Sequence, residues 1–121
     1  MKHLINWVEI PINDMDRAVS FYRKVLEVEF HQMQIGEIEY ALFPSEDRHN
    51  TGALAKGPGY KPSGEGIVIY LDGGKDLQSI LAKVGKHGGT VIMDKTHIST
   101  EAGFIGLFVD SEGNRIGLQH M

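Results

Sequence analysis

Cysteine is absent from this chain of 121 residues. That excludes disulfides, thiolate zinc centres and a cysteine nucleophile, and it fits a reducing cytosol. Long apolar runs are absent as well. No window approaches the roughly 20 apolar residues that a membrane span needs. Met1-Lys2-His3 runs into a short apolar segment with no small-residue cleavage site of the kind that ends a signal peptide. Positive charge is scarce: 12 Lys and Arg stand against 16 Asp and Glu, for a net charge of −4. No Lys/Arg run offers a stripe for tracking phosphates, which argues against nucleic acid as a partner. These absences describe a soluble cytoplasmic protein with no membrane or nucleic-acid partner.

Several catalytic signatures are missing too. Ser20 and Ser99-Thr100-Glu101 lack the context of a nucleophile elbow. The glycines form no phosphate-cradling loop at a helix start. The six histidines, His3, His31, His49, His87, His97 and His120, include no pair at i,i+4 and no His-x-His.

What is present is a repeat. Trp7-Val8-Glu9-Ile10 aligns with Gly66-Ile67-Val68-Ile69, 59 positions later, and the following apolar positions keep step. Ala18, Phe21, Tyr22 and Val25 meet Leu77, Ile80, Leu81 and Val84. Later, Ala41-Leu42-Phe43 meets Gly106-Leu107-Phe108 and Gly52-Ala53-Leu54 meets Gly117-Leu118-Gln119, now at a shift of 65. Two copies of one supersecondary unit, packed together, would place function in the cleft between them. The chain is too short for two ordinary domains, so the copies, about 1–56 and 66–121, are halves of a single domain joined by a linker over 57–65.

Each half reads as strand, helix, strand, strand, strand. The first has strands at 4–10, 28–34, 37–43 and 51–56, with a helix at 15–27 capped by Asn13 or Asp14. Met15, Ala18, Val19, Tyr22, Val25 and Leu26 make that helix's apolar stripe. The second has strands at 66–71, 90–94, 103–109 and 115–120. Its helix covers 75–87, capped at Asp72 or shortly after, and a loop runs from Lys95 to Ala102.

The residues carry a resemblance. Asn13-Asp14-Met15-Asp16-Arg17-Ala18-Val19-Ser20-Phe21-Tyr22 resembles the first helix start of the vicinal oxygen chelate superfamily, which includes glyoxalase I, bleomycin and fosfomycin resistance proteins and extradiol dioxygenases. Asp110-Ser111-Glu112-Gly113-Asn114-Arg115-Ile116-Gly117-Leu118 resembles its closing hairpin. The resemblance implies an α+β fold in which two tandem βαβββ modules form an eight-stranded open cup, and it implies a homodimer. In the metal-using members, four ligands come from the first and last strands of each module. The matching positions here are Trp7, Gly52, Gly66 and Gly117. Glycine has no donor and the indole offers no lone pair, so no metal and no cofactor is expected.

Strand alternation selects the remaining candidates. With Val8 and Ile10 packed inward, Trp7 and Glu9 face the cup. The same argument places Tyr70 there, together with Arg115 and Gln119 of the last strand, and the repeat alignment adds Phe43 and Phe108. The expectation is a cup with aromatic walls that binds a small, partly aromatic or apolar molecule without a metal. The alternative is a lyase or isomerase of the glyoxalase group. It would use Glu9 as general base, its pKa raised by apolar surroundings, or a displaced metal site built from Glu9, His49 and His120.

Overall fold

Pro11 closes the first strand, and Asp14 starts the first helix three residues later. In the computed structural model, which describes residues 4–47 and 49–121, the Asp14 side chain accepts the Arg17 amide at 3.0 Å, satisfying a free donor of the first turn. The first module comprises β1 (Val8–Pro11), α1 (Met15–Leu26), β2 (His31–Ile35), β3 (Ile38–Leu42) and β4 (Gly52–Lys56). The second comprises β5 (Ile69–Asp72), α2 (Leu77–Val84) with a following 3₁₀ turn at Gly85–His87, β6 (Thr90–Ser99), β7 (Gly103–Val109) and β8 (Arg115–His120). The α2 cap is Asp76, which accepts the Gln78 amide. Asp72 instead accepts the Gly74 amide in the preceding turn.

The eight strands form two four-stranded sheets of the same design, β1-β4-β3-β2 and β5-β8-β7-β6. In each, the first and last strands of the module pair in parallel and the remaining pairs are antiparallel. This is the α+β architecture of two tandem βαβββ modules.

Registers refine the repeat. Val8 pairs with Gly52, and Ile69 pairs with Ile116. Gly117 pairs with Tyr70, the neighbour of Ile69 on the opposite face, so Gly52 and Gly117 are not equivalent. A slip of one residue moves a strand position to the opposite face, so Gly52 faces the helices and Gly117 faces away from them. The loop expected from Lys95 to Ala102 is mostly strand. β6 runs to Ser99 with three register shifts against β7, as bulges permit at a sheet edge. β5 begins only at Ile69, and Ile67 lies outside it, 90% exposed.

One apolar cluster joins the modules. Phe21 and Tyr22 of α1 pack edge to face with centroids 5.0 Å apart, and Phe21 meets Phe108 of β7 at 6.0 Å. Phe21, one of the apolar positions of the repeat though not counted in the helix stripe, is 1% exposed. Burial of such side chains contributes about 1.5–3 kcal/mol each.

The seam also contains a polar clamp. The β7–β8 turn, Asp110 to Asn114, reaches the start of α1 in the other module. Glu112 Oε1 accepts the amides of Asn13 (2.9 Å) and Asp14 (2.8 Å). Arg17 Nε donates to Glu112 Oε2 at 2.7 Å and its Nη2 donates to Oε1 at 3.0 Å. Asp110 accepts the Tyr22 hydroxyl at 2.6 Å and the amides of Glu112 and Asn114. Asn114 donates to the Pro11 carbonyl at 2.7 Å. A carboxylate at a helix start satisfies free amides and complements the helix dipole.

Candidate functional site

The site is built on β1. Val8 and Ile10 pack into the core, so Glu9, and Trp7 just before the strand, project from the opposite, open face of the sheet. Trp7 Nε1 donates to Glu9 Oε2 at 3.2 Å. The second oxygen of Glu9 takes its bond from the linker: the Tyr60 hydroxyl donates to Oε1 at 2.5 Å. Bonds to Glu9 and then to Tyr40 push the Tyr60 phenol well above its usual pKa, so it remains a neutral donor. A hollow of about 410 Å³ opens beside this group, lined by Trp7, Glu9, Met33, Tyr40, Leu42 and Asn50 among others. Ala53 and Ala55, which pair with Glu9 and Pro11 in β4, are fully buried beneath this face. Each Glu9 oxygen accepts one bond from a described side chain, which leaves lone pairs for a further donor.

The other expected site residues divide three ways. Tyr70, Arg115 and Gln119 belong to the open face of the second sheet. The Tyr70 ring lies over Gly117, where an added Cβ would stand 2.4 Å from it. Arg115 donates to the Gly66 carbonyl and Gln119 to the Ala102 carbonyl, so both hold neighbouring chain. Phe108 is not on this face: it is fully buried and packed on Phe21. Phe43 is also on the helix side, with its ring 6.4 Å from Phe30. The error has one cause. Phe43 and Phe108 are equivalent, but both share the face of Ala41 and Gly106, which packs against the helices.

Sequence reasoning missed Tyr60 and Tyr40. The only signal for Tyr60 was a lone aromatic within the glycine- and proline-rich linker. A further cavity, of about 560 Å³, lies elsewhere, between the modules on the helix side.

The model of the Glyoxalase/Bleomycin resistance protein/Dioxygenase superfamily matches residues 4–118, and the chain belongs to this family. It is 28% identical over 120 residues to a glyoxylase-like domain-containing protein of Didymella fabae, covering 91% of this chain and 88% of that one. Among solved structures, the glyoxylase/bleomycin resistance protein/dioxygenase domain of Frankia sp. EAN1pec superposes with a TM-score of 0.73 at 13% identity, covering 98% of each chain. A Zea mays glyoxalase I mutant superposes with a TM-score of 0.63 at 18% identity, over 93% of this chain but only 44% of that one. Likeness at these identities establishes the fold alone.

The family implies a chelated metal, and the residues here do not fit one. An added Cβ at Gly52 would point at the Val8 carbonyl oxygen from 2.1 Å. Gly66 lies before β5, and Gly117 lies under Tyr70. The residues of the displaced alternative are not brought together with Glu9 among the described residues. His120 packs on Phe104 at 5.2 Å, His49 is exposed in the β3–β4 loop, and no group of three or more His, Cys, Asp or Glu is placed to hold a metal ion among the described residues. His3 lies outside the described residues. No helix among them is long and apolar enough to cross a membrane.

Proposed function

We propose that this protein binds a small, partly aromatic molecule on the open face of the N-terminal sheet, with Glu9 accepting a hydrogen bond from the ligand and Trp7 offering a ring face. The observation that carries this reading is the Trp7–Glu9–Tyr60 group: a carboxylate fixed by two neutral donors at the rim of an aromatic hollow. Such a group orients a ligand's N–H or O–H while the apolar wall supplies contact area. Tyr70 is an aromatic on the open face of the second sheet.

The same reading includes a homodimer. Away from the Trp7 hollow, Ile67, Tyr70, Ile92 and Ile98 are each more than 40% exposed, and a second copy would cover such side chains. Sedimentation equilibrium reads this directly, and a monomer at all concentrations would contradict it.

A second reading, a lyase or isomerase that uses Glu9 as general base, rests on the same free lone pairs. It differs in requiring turnover that is lost in Glu9→Gln.

The test is a thermal-shift screen of aromatic small molecules on untagged protein, with elemental analysis of the same sample. Stabilising compounds should lose their effect in Trp7→Ala. Hits indifferent to that change, or a stoichiometric first-row divalent ion, would overturn the proposal.

A further inference from the structure

The cavity of about 560 Å³ between the modules is independent of the Glu9 face. Its walls come from both halves of the chain: Ile10, Tyr22, Leu26 and Phe43 from the first, Leu71 and Ile80 from the second. Three of the first module's aromatics form a run along it. Tyr22 and Phe30 have centroids 6.4 Å apart at an interplanar angle of 70°, and Phe30 and Phe43 are 6.4 Å apart at 65°. The Tyr22 hydroxyl is committed to Asp110 at 2.6 Å, so this residue offers the cavity a ring and no free polar atom. The volume falls within the range of small-molecule sites, roughly 300–1,000 Å³.

The polar lining has one sign. Glu46 and Asp72 are the charged residues that line the cavity, one from each module, with Ser45 beside them. Both carboxylates are exposed, and no lysine or arginine lines the cavity. Among the described residues, neither carboxylate is in an ion pair. Asp72 is nevertheless held in place, because its Oδ1 accepts the Gly74 amide at 2.8 Å. Aromatic rings add to the preference for a cation, since their faces carry negative potential.

We propose that this inter-module cavity is a second binding site that takes a small amphiphilic cation: an aromatic body seated among Tyr22, Phe30 and Phe43, with one ammonium group at the Glu46 and Asp72 carboxylates. The site takes its walls from both modules, so its ligand would bridge them.

Three probes with one skeleton test this: 2-(1-naphthyl)ethylammonium, 2-(1-naphthyl)ethanol and 1-naphthylacetate. Each is titrated into the full chain and followed by methyl NMR. The ammonium should bind tightest and the carboxylate weakest, and the methyls of Leu26, Leu71 and Ile80 should move. The Glu46→Gln, Asp72→Asn double variant keeps the side-chain shapes and the Gly74 contact. It should weaken the ammonium by roughly five- to tenfold, as expected for two solvent-facing charges, and leave the alcohol unchanged. The proposal is overturned if the carboxylate binds as well as the ammonium or if the double variant leaves ammonium affinity unchanged. It is equally overturned if the ammonium moves only Met33 and Ile35, which would place it on the open sheet face.

Discussion

Two glutamates of this chain show what separates a structural carboxylate from an available one. Glu112, at the seam between the modules, has a fully buried side chain. It accepts two backbone amides, two guanidinium bonds and the Ser111 hydroxyl. Glu9, on the open sheet face, accepts one indole and one phenol and borders a hollow. Burial pushes the Glu112 carboxyl up, but the bonds from Arg17, Asp14, Asn13 and Ser111 outweigh it and hold the group at about 2. A carboxylate used up in this way holds the fold together. A carboxylate with lone pairs left, facing space, can serve a ligand.

The seam should break hardest. Glu112→Ala leaves the Asn13 and Asp14 amides and the Arg17 guanidinium without their acceptor, and should cost about 3 kcal/mol in urea unfolding. A loss below about 1 kcal/mol would remove the clamp from the account. The pH dependence follows from the lowered pKa. Because the folded value, about 2, lies below the ordinary 4.5, the stabilisation is complete above about pH 5 and drains away as pH falls toward 2. Its size is on the order of 3 kcal/mol. Urea midpoints measured across this window should show a limb that flattens in Glu112→Gln, and an unchanged limb in that variant would assign the acid sensitivity to other groups.

Tyr22→Phe comes next. It removes the donor to Asp110 while keeping the ring packed on Phe21 and Phe30. The expected loss is about 1–2 kcal/mol, the cost of leaving a buried acceptor short of one bond. A neutral result would mean that the Glu112 and Asn114 backbone amides and the Asn114 side-chain amide, which donates to Asp110 Oδ2 at 3.1 Å, suffice for Asp110.

The fold was legible in the sequence because the repeat fixes the order of elements and the apolar spacing fixes their type. Met15, Ala18, Val19, Tyr22 and Val25 are buried where the helical period placed them. The open face of β1 was legible by the same alternation. The site was less so, because its second half arrives from the linker: no periodicity places Tyr60 against Glu9 across 51 residues. Phe43 and Phe108 were assigned to the wrong face because an alignment between repeats shows that two residues are equivalent without showing which way they point. Gly52 was matched with Gly117, which lies on the opposite face, because pattern cannot see strand register. The Asp110–Asn114 turn was recognised as a motif, but its cross-module role depends on contacts with Asn13, Asp14 and Arg17 that only the packed structure brings together.

The sharpest test of the difference between the two glutamates is Glu9→Gln, examined for thermal stability and ligand binding in the same samples. The substitution keeps shape, and its neighbourhood is open to solvent, so the loss should be about 1 kcal/mol or less and Tm should fall by no more than about 4 °C. Binding of any compound that stabilises the wild type through the Trp7 face should weaken at least tenfold, as expected when a charged acceptor is lost. A protein that unfolds as readily as Glu112→Ala while keeping its ligands would show that Glu9 is a structural group, and would contradict the account.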